Sequence, residues 1–274
     1  MSQPFRLNKE GLINRNKKIS FTFNGKKLFG YEGDTIASAL IANGIHLVGR
    51  SFKYHRPRGF FGAGVEEPNA KLQVEFNGHS EPNVNATEME LVEGLSATSQ
   101  NCWPSVNFDI GAINNFLKMF FPAGFYYKTF MWPKSFWYKI YEPFIRKAAG
   151  LGVASIEKDK ERYEHKFEYC DLLVTGSGPS GLASAYAAAK NGAKVILAED
   201  KPRFGGTLLT DDVSIDNLSG KDWAEKIISE LKSMPNVTVK NRSQVFGYYD
   251  HNMLVMFERV SDHLEKKSKF TPRQ

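Results

Sequence analysis

Cysteine is nearly absent: Cys102 and Cys170 are the two that 274 residues contain. Two thiols are too few for a disulfide framework or a four-thiolate metal site, and they point to a reducing, cytoplasmic setting. Long apolar runs are missing as well. The N-terminal stretch MSQPFRLNKEGL has no apolar core of signal-peptide length, so nothing in it argues for export. The greasiest segment, Phe116 to Phe144, carries 13 aromatic residues. Lys118, Lys128, Lys134, Lys139 and Glu142 interrupt it, Pro122, Pro133 and Pro143 break helices, and no run approaches the ~18 apolar residues that a span needs. No membrane partner is expected. The segment reads instead as an aromatic linker packed on a neighbouring domain, or as a subunit interface, where Tyr, Trp and Phe are enriched. Metal-ligand spacing is lacking too. His46, His55, His79, His165, His251 and His263 are scattered, and no Ser/His/Asp or Cys/His pairing stands out. Neither a metal site nor a catalytic residue is assigned.

What is present is an ordinary globular composition, 42% hydrophobic and 24% charged, with room for two domains. The formal charge of +6 favours anionic partners without choosing among them. After a basic leader, Ile19 to Phe23 alternates apolar and polar residues, Asn24-Gly25 is a favoured two-residue turn, and Lys26 to Tyr31 returns as a strand. Glu32-Gly33-Asp34-Thr35 supplies cap chemistry for a helix over IASALIAN, with Gly44 as its stop. Ala70 to Phe76 is a further strand, Asn77-Gly78 a turn, and Ala86 to Val92 the strand expected to return. Hairpin, helix and later strands suggest a small β-grasp domain. Plant-type ferredoxins share this order and carry cluster cysteines in the loop after the helix, yet Ile45 to Gly64 here contains none, which excludes an iron–sulfur site. That loop offers Arg50, Lys53, His55, Arg56 and Arg58 among Phe52, Tyr54 and Phe60. Such runs grip single-stranded nucleic acid in some proteins, but more often form a solvated face or meet an acidic partner, and nucleic acid is not expected.

The second domain begins near Glu168. Asp171 to Thr175 is a short apolar strand of the parallel-sheet kind, and it runs straight into Gly176-Ser-Gly178-Pro-Ser-Gly181. Gly176 permits the tight turn, Gly178 the approach of a pyrophosphate, and Gly181 the close packing of the next helix, whose N-terminus receives the phosphates. The alanine-rich helix from Leu182 to Lys190 ends at Asn191-Gly192, and a second strand runs from Lys194 to Glu199. Glu199 lies 23 residues after Gly176, near the ~20-residue spacing at which a carboxylate meets the adenosine ribose. Its neighbour Asp200 is the alternative partner. Gly205-Gly206-Thr207 forms a second glycine turn that could face the cofactor. A helix from Asp222 to Met234, a strand from Val237 into Tyr249, a turn at Asp250 to Asn252 and a strand from Met253 to Val260 complete the pattern. On these residues alone FAD is slightly favoured over NAD.

Taken together, Val48–Gly59 (VGRSFKYHRPRG), Gly64–Ala70 (GVEEPNA), Ala97–Pro104 (ATSQNCWP), Pro122–Pro133 (PAGFYYKTFMWP) and the glycine motif resemble the N-terminal part of the alpha subunit of heterotetrameric sarcosine oxidase. The resemblance implies an α+β then α/β chain: a leader over 1–16, a ferredoxin-like β-grasp domain without cluster cysteines over 17–100, an aromatic-rich linker over 101–167, and a Rossmann-type dinucleotide-binding domain over 168–274. It implies NAD at Gly176, Gly178, Pro179, Ser180, Gly181, Glu199, Asp200, Gly205, Gly206 and Thr207, with FAD as the alternative. It also implies beta, gamma and delta subunits as partners, and FMN, FAD and tetrahydrofolate in the assembled complex. The family demethylates sarcosine oxidatively to glycine and hydrogen peroxide and passes the one-carbon unit to tetrahydrofolate. Members continue past residue 274, so the second domain is expected to be incomplete, and the chain a truncated fragment inactive alone. A non-catalytic assembly module is the alternative, as is an alpha-like subunit of opine oxidase or hydrogen cyanide synthase; those relatives generally keep cluster cysteines, which argues against them.

Overall fold

A computed structural model describes residues 3–9, 11–76, 78–120, 124, 130–149, 152–158, 162–261, 263–264 and 272–273. The chain divides into two compact units, 1–159 and 160–274.

In the first unit, strand β1 (Asn14–Phe23) pairs antiparallel with β2 (Lys26–Glu32) through Asn24 and Gly25, whose positive φ values of 48° and 76° make the turn the sequence predicts. Alternation puts Ile19, Phe21 and Phe23 of β1 into the core with Leu28 of β2. Helix α1 (Ile36–Ala42) follows. Thr35 caps it by accepting from the Ser38 N–H while the Ser38 hydroxyl accepts from the Thr35 N–H, and Gly44, at φ 77°, stops it. Its inner face places Ile36, Ala37, Ala39 and Leu40 against the sheet's core side chains. The residues ahead of β1 pack into the same unit: Phe5 meets His46 edge-on at 4.8 Å, and Arg6 pairs at 2.7 Å with Asp34, which is 1% exposed.

Three more strands complete the sheet: β3 (Lys71–Phe76), β4 (His79–Asn85) and β5 (Ser96–Ser99), in the order β2-β1-β5-β3-β4. The β1–β5 pairing is parallel; the others are antiparallel. The strand expected over Ala86 to Val92 is therefore misplaced, since the partner of β3 is His79–Asn85. Asn77 of the expected turn lies outside the described residues. Ala86 to Val92 runs under the start of α1 instead, where the Ala86 and Met89 carbonyls accept from the Ala37 and Ile36 N–H groups at 2.9 and 3.0 Å. Those are orphan donors of a helix N-terminus, and covering them, not pairing within the sheet, buries Ala86, Leu91 and Val92.

In the aromatic segment, residues 121–123 and 125–129 lie outside the described residues, as do Thr271 and Gln274 at the chain end. Helix α2 (Glu142–Ala149) begins within the segment. Phe116, Met119, Trp132 and Tyr138 are each more than 80% exposed. Among the described residues no helix is long and apolar enough to cross a membrane.

In the second unit, β6 (Leu172–Thr175), β7 (Val195–Ala198) and β8 (Val237–Lys240) form a parallel sheet with β7 in the centre. All four β7 residues are buried, as a strand covered on both faces requires. Helix α3 (Pro179–Lys190) joins β6 to β7, and α4 (Gly220–Ser233), capped by Ser219, precedes β8. Leu182, Ala185 and Ala189 of α3 pack with Trp223, Ile227 and Leu231 of α4 around Val195 and Leu197. The single strand expected from Val237 into Tyr249 is two. Arg242, at φ 50°, breaks it, and β9 (Ser243–Tyr249) turns away to form a hairpin with β10 (Met253–Glu258).

Candidate functional site

The site lies where β6 and β7 end. Gly176, at φ 91°, occupies backbone space that L side chains rarely adopt, and its N–H donates to the Ala198 carbonyl at 2.7 Å. That bond ties the first turn to the end of β7. Gly178 is the N-cap of α3 and Pro179 its first residue. No side chain caps this helix, so the donors and the positive end of the dipole at its start are left for a ligand. Pro179 and Ser180 are exposed. A Cβ on Gly181 would run into the Gly176 carbonyl oxygen, whereas one on Gly178 would meet nothing within 4 Å. The two glycines therefore serve different needs: Gly181 permits close packing inside, and Gly178 keeps the outside clear.

Ser177, within the motif but unremarked in the sequence reading, is the hub of this turn. It is fully buried, and its N–H donates to Glu199 Oε2 at 2.8 Å while its hydroxyl donates to the same oxygen. The Gly205 N–H reaches both the Ser177 carbonyl, at 3.1 Å, and Oγ, at 3.0 Å. One serine thus joins the first glycine turn, the end of β7 and the second glycine turn. Gly205 and Gly206 have φ values of 126° and 54°, and a Cβ on Gly206 would stand 2.9 Å from Gly178 Cα. The second glycine pair is therefore laid against the first. Thr207 is exposed, and its carbonyl accepts from the Thr210 and Asp211 N–H groups.

Glu199 is 5% exposed, and its carboxylate faces the glycine turn, with Oε1 accepting from the Lys201 N–H at 3.1 Å. Burial pushes its carboxyl above the ordinary range and a hydrogen bond with Asp200 adds to that; the Ser177 and Lys201 donors offset part of it. Asp200 is more exposed, and its carbonyl is held by Arg259 at 2.9 Å. All ten residues singled out from the sequence thus fall on two touching turns and the strand end between them.

Elsewhere, burial raises both thiols, Cys102 and Cys170, so neither is set up as a thiolate nucleophile. His55 Nδ1 lies 2.7 Å from Asp109, a pairing that the sequence alone does not reveal. Among the described residues no three His, Cys, Asp or Glu side chains cluster as a metal site.

Residues 16–102 match the family model of a 2Fe-2S iron-sulfur cluster binding domain, and residues 171–252 that of an FAD dependent oxidoreductase. The cysteine content of the first region does not fit its model's cluster, because Cys102 is the one thiol it contains. A solved structure, the L-proline dehydrogenase of P. horikoshii, shares the fold at TM-score 0.54 and 18% identity, over 93% of this chain and 39% of that one. The sarcosine oxidase subunit alpha of Corynebacterium sp. (strain U-96) is 32% identical over 98% of this chain and 24% of its own length. That of Rhizobium meliloti (strain 1021) is 54% identical over 98% of this chain and 27% of its own length. Over nearly its whole sequence, the chain is thus a relative of sarcosine oxidase alpha subunits and spans about a quarter of their length.

Proposed function

We propose that residues 171–252 bind the adenosine diphosphate half of a dinucleotide within a Rossmann-type domain, and that the chain serves as part of an amine-oxidising flavoenzyme subunit. The observation that carries this is the uncapped start of α3, facing open space at Gly178 and joined by Ser177 to a buried carboxylate at the end of β7. In this reading Gly178, Ser180 and Gly181 present backbone N–H groups to the pyrophosphate, and Pro179 fixes the first turn of the helix. Glu199 and Asp200 accept from the ribose hydroxyls, and Gly205, Gly206 and Thr207 close over the turn. The bound group supplies hydride chemistry; these residues hold and orient it.

FAD and NAD share this half. The FAD dependent oxidoreductase model favours FAD, while the resemblance to the sarcosine oxidase alpha subunit implies NAD, with FAD and FMN placed elsewhere in the complex. The first unit is proposed as the β-grasp domain of that architecture, without a cluster. Oxidative demethylation of sarcosine, transfer of the one-carbon unit to tetrahydrofolate and assembly with beta, gamma and delta subunits extend the same reading. The exposed rings of Phe116, Trp132 and Tyr138 suit contact with those subunits. Mass spectrometry of nucleotide released from the purified complex identifies the ligand. Loss from Gly178→Glu of one equivalent of the FAD or NAD that the wild type releases is the expected result; a variant that releases the wild-type amount of each overturns the assignment.

A further inference from the structure

The loop after α1, residues 45–64, is where plant-type ferredoxins place cluster cysteines, and it lies inside the region matched to the 2Fe-2S model. A carboxylate just past its end turns back onto it instead. Glu67 is 1% exposed. Its Oε2 accepts from the Phe61 and Gly62 N–H groups at 2.5 and 2.6 Å, and its Oε1 from those of Asn69 and Ala70 at 2.7 and 3.2 Å. The adjoining Glu66 accepts from the Ala63 and Gly64 N–H groups at 2.9 Å. Four consecutive amides, 61 to 64, are therefore directed at two neighbouring carboxylates. The Thr87 hydroxyl fastens the same turn by donating to the Gly64 carbonyl at 2.8 Å.

Converging backbone N–H groups make an anion-binding nest, and a buried charge survives where such donors match it. Burial on its own would raise the Glu67 carboxyl, yet the four backbone donors outweigh it and hold the group below the ordinary range, so the bound form is the carboxylate. Two basic residues of the loop are also engaged inside the unit. Arg50 donates to the Val106 carbonyl at 2.6 and 2.8 Å, and Arg56 to Asn115 at 3.0 Å.

We propose that the Glu67 carboxylate is the built-in anion that organises this loop in place of an iron–sulfur cluster, leaving the domain a redox-silent module that takes up no iron. Amide hydrogen exchange on the full chain, wild type against Glu67→Gln, tests it. The carboxamide keeps the shape but loses the charge and one of the two acceptor oxygens. Exchange at Phe61, Gly62, Asn69 and Ala70 is expected to accelerate by about 10-fold or more, with the amides of β6 and β7 unchanged. Unaltered protection at those four positions would overturn the proposal. A second measurement does not depend on the variant folding: wild-type chain incubated anaerobically with ferric iron and sulfide. No iron retained after gel filtration and no visible cluster absorption is expected; stoichiometric iron with a 2Fe–2S spectrum would overturn the proposal.

Discussion

Two loops of this molecule gather backbone N–H groups around a buried carboxylate, and they end in opposite states. In the first unit Glu67 takes four amides and Glu66 two more, and the loop is satisfied from within. In the second unit Glu199 takes the Ser177 and Lys201 amides, while the start of α3 beside them has no side-chain cap. Acid strength follows the same division: four donors overcome burial and lower Glu67, whereas burial and Asp200 outweigh the donors and raise Glu199. A loop that supplies its own anion has no vacancy for another. One that leaves its helix donors free can take a phosphate.

The comparison breaks most visibly at Glu67. Glu67→Ala strands four backbone donors, that of Ala70 fully buried, and a loss of about 3 kcal/mol in the first unit is expected, with the second untouched; denaturant unfolding followed by hydrogen exchange in each unit measures it. In the open loop the same severity should fall on ligand and not on fold. Gly178→Glu, whose Cβ would meet nothing within 4 Å, should weaken dinucleotide binding at least about 100-fold, since the pyrophosphate subsite is filled and made anionic. Its effect on stability should stay within about 0.5 kcal/mol, as for an exposed substitution. Calorimetric titration and thermal unfolding separate the two.

A subtler contrast is the pH dependence. Glu67 binds fewer protons folded than unfolded, so its contribution is complete above the ordinary carboxylate value and is lost as pH falls through the lowered folded value. Glu199 binds more protons folded, so its contribution is complete below the ordinary value and is lost as pH rises through the raised folded value. Slopes of opposite sign are expected in adjoining ranges, the first unit losing stability as pH falls below the ordinary carboxylate value and the second as pH rises above it, each at most about 1.4 kcal/mol per pH unit. Unit-resolved exchange across pH measures them, and parallel slopes would refute the division. The smallest effects belong to the caps. Thr35→Ala in α1 and Ser219→Ala in α4 should each cost about 1 kcal/mol and leave both loops intact, as thermal unfolding would register.

Local signals were legible where one short stretch of chain controls the outcome. Asn24-Gly25, the Thr35 cap and the stop at Gly44 all stand where the sequence puts them, because each answers to its own φ, ψ and nearest donors. The glycine turn was legible for the same reason. Strand β4 was not: HSEPNVN is polar and holds Pro82, features tolerated because β4 lies at the sheet edge. Ala86 to Val92, with apolar Ala86, Met89, Leu91 and Val92, looked more strand-like, yet it packs under α1. The break at Arg242 was hidden too, since neither Asn241 nor Arg242 marks a turn as strongly as glycine does. Glu67 had been no more than one letter of GVEEPNA, without chemistry of its own.

By itself the sequence determined the periodic elements, the absence of cluster thiols in the first region and the glycine turn with an acid at the end of the next strand. Those properties reside in residue type and spacing. Only the tertiary structure decided that Ser177 joins two glycine turns 28 residues apart, that Glu199 faces inward to them, and that Glu67 closes the other loop from inside. A carboxylate's role depends on which donors surround it and how much water reaches it, and both are set by chain segments that meet only when the protein folds.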